Sequence, residues 1–246
     1  MLAETTAHLA AILILATALL MLAGPIGYRL RLWSAITALT KVTALGVVTG
    51  ALAALLALAS LIAGGWRIGP GTTAMLVVIL AGGAAAVALP LRVKRRAAFL
   101  PFNDVTTDIA TAPSFEALLP LRRAERPDAA AHYDAARLGA LQRERYPDLG
   151  PLQLPAKPAE AFAAALTAAR ALGWTIVAQD KARGRIEAYD RTRCYGFVDD
   201  IVVRLSADES GTRCDIRSAS RVGISDLGKN AARIRRYRAV LAARLT

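Results

Sequence analysis

Residues 173–220 read GWTIVAQDKARGRIEAYDRTRCYGFVDDIVVRLSADESGTRCDIRSAS, and the hydrophobic pattern of this stretch decides the fold of the C-terminal half. Trp174, Ile176 and Ala178 recur at period two. So do Ile186 and Ala188, then Ile201, Val203 and Leu205, then Cys214, Ile216 and Ser218. Neighbouring side chains of a strand point to opposite faces, so each run marks one inner face and sends Arg204, Asp215 and Arg217 to the other. Turn residues part the runs at 180–184 and 208–211. The stretch reads as four antiparallel strands.

Working outward, Pro158 suits a first helical turn. Phe162, Ala165, Leu166, Ala169 and Leu172 then follow at helical spacing until Gly173. On the other flank Ser225 reads as the N-cap of a final helix striped by Leu227, Ala231, Ile234, Leu241 and Leu245. The expected order is helix, four antiparallel strands, helix, an α+β two-layer domain over residues 157–246 with both helices on one face. Residues 97–156 hold Pro101, Pro113, Pro120, Pro127, Pro147, Pro151 and Pro155 without sustained periodicity. They read as a Pro-rich tether with one short helix near 129–145.

The first 96 residues are of another kind. The chain has 246 residues, 55% of them hydrophobic and 20% charged, with a mean hydropathy of +0.38, and the apolar excess lies before Arg92. Uncharged runs of about twenty to twenty-five residues lie between His8 and Arg29, Lys41 and Arg67, and Arg67 and Arg92. Each can cross a bilayer, and only as a helix, because lipid offers no partner to an open strand. The predicted anchor is therefore three transmembrane α-helices over residues 1–96. The first run lacks the basic start of a signal peptide, which favours an anchor helix over a cleaved leader.

Arg29, Arg31 and Lys41 follow the first run, and Arg92, Lys94, Arg95 and Arg96 follow the third, whereas the second connection has only Arg67. By the positive-inside rule the C-terminal domain of this multi-pass protein is expected in the cytoplasm. Gly46, Gly50 and Ala54 make a small-residue face on the second helix. It suits either packing within the chain or a homo-oligomer. No Asp, Glu or Lys interrupts a run, which argues against a pore or pump.

The net charge of +12 invites a nucleic-acid reading. Residues 1–96 carry eight Lys or Arg against one Glu, so more than half of the excess belongs to membrane orientation. The rest gathers on the last helix as Lys229, Arg233, Arg235, Arg236, Arg238 and Arg244, a solvated face or a surface for anionic lipid rather than for nucleic acid. His8, His132, Cys194 and Cys214 have no metal-ligand spacing. No phosphate loop, nucleophile elbow or zincin motif occurs, so no metal, cofactor or catalytic residue is assigned.

Two polar stretches remain. In Arg193-Cys194-Tyr195-Gly196-Phe197-Val198-Asp199-Asp200 the two aspartates must point to opposite faces, so they cannot form one acid–base pair. In the stretch from Arg217 to Asn230, Ser218 and Ser220 share one face and Arg217 and Arg221 the other. The candidate binding residues are Phe197, Asp199, Asp200, Arg217, Ser218, Ser220, Arg221, Asp226 and Asn230, expected to converge where strand three begins and strand four leaves for the last helix. The leading expectation is a module that binds a ligand, a lipid headgroup or a protein partner without catalysis. A membrane-proximal hydrolase is the alternative; it would need Ser218, Ser220 or Ser225 as nucleophile, and no histidine is close in sequence.

The same motifs carry a resemblance. Tyr146-Pro147-Asp148, Gly173-Trp174, Gly184-Arg185-Ile186-Glu187-Ala188, Gly196-Phe197-Val198-Asp199-Asp200, Arg217-Ser218-Ala219-Ser220-Arg221-Val222-Gly223 and Ser225-Asp226-Leu227-Gly228-Lys229-Asn230 resemble the bacterial domain-of-unknown-function family 1499, DUF1499, over roughly residues 101–246. The resemblance implies a bacterial inner membrane and no activity. It does imply an exported domain in some relatives, against the charge count.

Overall fold

The computed structural model describes residues 2–245. The chain divides into two compact units, residues 1–96 with 194–196, and residues 97–193 with 197–246.

The first unit is built from α1 (Leu2–Arg29), α2 (Thr43–Gly64, entered through a π-helical turn at Thr37–Val42) and α3 (Pro70–Phe99). Its three apolar spans of 26, 28 and 30 residues are long enough to cross a membrane. Leu15, Leu19, Ile62 and Val78 face outward, as lipid solvation allows. The few polar side chains on the inner faces satisfy one another: Thr6 bonds Ser60 at 2.7 Å, and Thr17 bonds Thr49 at 2.9 Å. Gly46 and Gly50 are buried. A methyl on Gly46 would press on Met21 of α1, one on Gly50 would overlap Ala86 of α3, and Ala54 abuts Gly83. Of the two uses this small-residue face suits, packing against the chain's own helices is the one seen here.

The second unit is an α+β domain. Its regular part follows the expected order: α6 (Pro158–Ala171), β3 (Thr175–Asp180), β4 (Arg185–Arg191), β5 (Val198–Asp208), β6 (Gly211–Ser220) and α7 (Lys229–Ala242). The β3–β4 turn demands Gly184, which has φ +61° and leaves no space for a methyl beneath the Leu205 carbonyl. Ile186, Ile201, Val203 and Ile216 on the sheet pack against Phe162, Ala165 and Ala169 of α6 and Ile234, Tyr237 and Leu241 of α7. Trp174 stacks on Tyr237 at 4.7 Å, and the buried phenol donates to the Ala165 carbonyl. Burying each large apolar side chain contributes about 1.5–3 kcal/mol, so this face holds the domain together.

The expected tether at 97–156 is instead part of the domain. It supplies β1 (Asp104–Thr106), α4 (Leu119–Glu125), α5 (Ala135–Arg145) and β2 (Leu152–Leu154). β1 and β2 both pair with β6, along successive parts of it, so the sheet has six strands in the order β1-β6-β5-β4-β3 with β2 beside β6. Phe102, Val105, Tyr133, Leu138, Tyr146, Leu149 and Leu154 join the core. Residues 107–131 form a strap over the sheet face that α6 and α7 leave open, seating Phe115 and Leu118 on Val202, Ala219 and Tyr189. The strap adds a cover to the second face of the expected α+β arrangement.

Candidate functional site

The β5–β6 register sets Asp199 opposite Ser220, Asp200 opposite Ala219 and Val202 opposite Arg217. The two polar stretches are therefore neighbours, but the pleat divides their side chains between two faces. They do not converge on one point.

On the helix side, Arg233 of α7 is the hub. Its guanidinium donates to Asp199 at 2.6 Å, Asp190 at 3.0 Å, the Asn230 side-chain oxygen at 2.6 Å and the Ser218 hydroxyl at 3.2 Å. Ser218 donates to Asn230 at 2.7 Å, and the Asn230 amide donates to Ser220 and to the Asn103 carbonyl. Asp226 accepts from the backbone N–H of Gly228 and Asn230 at 2.8 and 2.6 Å. Burial pushes its carboxyl above the ordinary value, and those two N–H groups offset only part of that.

On the strap side, Asp200 is fully buried and is gripped by Arg221 through two guanidinium nitrogens and by Arg122 at 2.9 Å. Arg221 reaches on to Glu125 at 2.8 Å. Burial alone would lower the Arg221 pKa, but Asp200 and Glu125 hold it above its ordinary value. Arg122 is different: its desolvation outweighs Asp200, and its pKa falls. Arg217 clasps Asp104 and donates to the carbonyls of Pro113 and Ala131. The Phe115 ring lies against both Arg122 and Arg217, each guanidinium 4.5 Å from its centre. Glu187 accepts the backbone N–H groups of Glu116, Ala117 and Leu118 together with Arg185. The sheet holds the strap through these bonds.

Phe197 joins neither group. Half-buried, it exchanges hydrogen bonds with Thr192 and closes the β4–β5 hairpin. Ser225 is not the cap of α7, which begins at Lys229 after a left-handed Gly228. The hydroxyl accepts the Leu227 N–H at 3.2 Å, and Asp226 holds the first helical N–H groups instead. The basic cluster on α7 is also partly spent. Arg233 is tied inward, Arg235 clasps Asp148 and Arg238 donates to the Asp148 carbonyl, so Lys229, Arg236 and Arg244 are the exposed cations that remain.

The candidate set from the sequence lacks Arg233, Asp190, Arg122, Asp104 and Glu187, although Arg233 is there a member of the basic face of the last helix and Glu187 of a family motif. Among the described residues, no carboxylate or imidazole lies within hydrogen-bond reach of Ser218, Ser220 or Ser225, and no three His, Cys, Asp or Glu form a metal-holding group. A surface depression of about 300 Å³ lies between α6 and the end of α7, lined by Glu160, Ala163, Ala164, Thr167, Arg244 and Leu245, apart from every candidate residue.

The family described as a protein of unknown function, DUF1499, matches residues 104–241, from the first residue of β1 to α7. The chain belongs to the DUF1499 family. The match begins inside the stretch first read as a tether, which agrees with β1 and the strap being integral to the DUF1499 domain. Comparison with curated proteins and with solved structures gives no match.

Proposed function

We propose that this DUF1499 protein is a membrane-anchored binding module whose conspicuous polar residues build the domain rather than carry out chemistry. One observation carries this reading: Asp199, Asp200, Arg217, Ser218 and Asn230 are each at most 2% exposed and bonded to internal partners. A nucleophile needs a base beside it and an open approach. Ser218 faces an amide and a guanidinium instead. The anchor places the domain beside a bilayer, so its binding partner is a lipid headgroup or a protein reached at that surface.

The basic flanks favour a bacterial inner membrane with the domain on the cytoplasmic side. A phosphatase fused after the C-terminus should be inactive in whole cells and a fluorescent protein there should glow; an active phosphatase would place the domain outside. The chemical reading is tested on the full chain in nanodiscs with a fluorophosphonate probe. No serine should be labelled. Adduct formation at Ser218, Ser220 or Ser225, found by peptide mass mapping, would make the protein a hydrolase.

A further inference from the structure

We propose that the loop between β6 and α7 is a lipid-contacting tip, with Ile224 entering the headgroup layer and Arg191 and Lys229 meeting anionic headgroups beside it. The inference rests on the binding-module reading and names the partner. Ile224 is 80% exposed, more than any other large apolar residue described in the chain, including Ile62 at 74% on a spanning helix. An isoleucine presented so fully to water is a cost that contact with lipid would relieve.

The loop is held in shape, so the exposure belongs to the fold. Gly223 takes φ +85°, its carbonyl accepts from the Asn103 side chain, and Asp226 N–H donates to the Phe102 carbonyl. Those partners follow α3 directly, because the helix ends at Phe99. From Arg96, in the last turns of α3, to Asn103 the chain can extend at most about 25 Å. Covalent connection alone therefore sets an upper bound on how far this loop can stray from the basic end of the third spanning helix.

The charge on this end also fits. Arg191 pairs with Val198, whose carbonyl accepts from Arg221 N–H, so the β4–β5 hairpin and the 222–227 loop leave the sheet at the same end. Arg191 and Lys229 are exposed there. The nearby carboxylates of Asp190, Asp199 and Asp200 turn onto Arg233, Arg122 and Arg221, leaving the outward charge basic. An apolar side chain beside cations is the pattern that holds protein surfaces on anionic bilayers.

The test places an environment-sensitive fluorophore on an Ile224→Cys variant of the full chain carrying Cys194→Ser; Cys214 is buried. A Lys181→Cys variant labels the β3–β4 turn at the other end of the sheet as a control. In nanodiscs of phosphatidylcholine with phosphatidylglycerol, the label at 224 should shift to the blue and be quenched by lipids spin-labelled near the headgroup, while the label at 181 stays water-like. Adding Arg191→Glu and Lys229→Glu should reverse the shift. A water-like label at 224 would overturn the proposal, and equal quenching in pure phosphatidylcholine would overturn its headgroup part. Neither result depends on serine labelling, so the tip and the non-catalytic reading can fail separately.

Discussion

The two faces of the DUF1499 sheet are covered by opposite means. Against α6 and α7 the sheet presents Ile186, Ile201, Val203 and Ile216, and the contact is apolar except at one end. Against the strap it presents Arg185, Glu187, Asp200, Arg217 and Arg204, and only a small cluster around Phe115 and Leu118 is apolar. Apolar packing degrades gradually when trimmed, whereas a buried charge left without its partner is penalised sharply. The comparison teaches that the strap side is where the fold depends most on particular partners, since its charges are buried against one another.

The largest expected effect tests that directly. Asp200→Ala leaves Arg122 and Arg221 facing each other in a buried site, and should cost the domain about 3–5 kcal/mol. Amide exchange of β5 and β6 in the full chain would read it. Replacing the set together, with Asp200→Leu, Arg122→Met and Arg221→Met, should recover most of that loss. If the triple variant is as unstable as the single one, unpaired charge is not the cause and the comparison breaks. On the opposite face, Ile216→Val removes one methylene and should cost about 0.5–1.5 kcal/mol, with little dependence on salt.

Acid should separate the faces next. On the strap side, burial would raise Asp108, but the Thr111 hydroxyl and N–H, with Arg213 and Arg204, hold it below its ordinary value of 3.8. Its contribution is therefore present above that value and is lost as pH falls through the lower folded one. On the helix side Asp226 is raised, so its contribution is complete below 3.8 and is lost as pH climbs through the folded value. Asp108→Asn should flatten the acid limb of the denaturant midpoint against pH. Asp226→Asn should instead remove a loss that appears above the ordinary carboxylate range. Identical profiles for the two variants would contradict the assigned directions.

How far the sequence reveals these faces follows from periodicity. Ile186, Ile201, Val203 and Ile216 repeat at two, and the stripe of α7 repeats at helical spacing, so the helix-covered half of the domain and the anchor are legible from residues alone. Period two places Glu187, Asp215 and Arg217 on the second face but says nothing of what covers it. The cover comes from the prolyl stretch 107–131, and β1 and β2 have three residues each, too few to show a repeat. The candidate site was partly legible for the same reason. Asp199 and Asp200 were placed on opposite faces, yet Arg217 and Arg221 were grouped with Asp226 and Asn230, although alternation from Ser218 already puts the arginines on the other side. Arg233 and Arg122 lie far along the chain from Asp199 and Asp200, and no local pattern points to those pairs.

The smallest effect is the one expected at Ser225, and it bears on function as well as on fold. Were Ser225 the N-cap that its position in the sequence suggests, its loss would cost about 1 kcal/mol. The structure gives it one long hydrogen bond, from Leu227 N–H, and transfers the capping role to Asp226, which meets both Gly228 and Asn230. Ser225→Ala should therefore stay within about 0.5 kcal/mol of the parent, as surface substitutions usually do. Asp226→Ala should cost about 1 kcal/mol or more, since it strips the bonds that start α7. The pair also separates building from chemistry. A cellular phenotype of Ser225→Ala with unchanged amide exchange would point to a reacting hydroxyl, whereas phenotypes that track the exchange data across both variants would tie these residues to the fold alone.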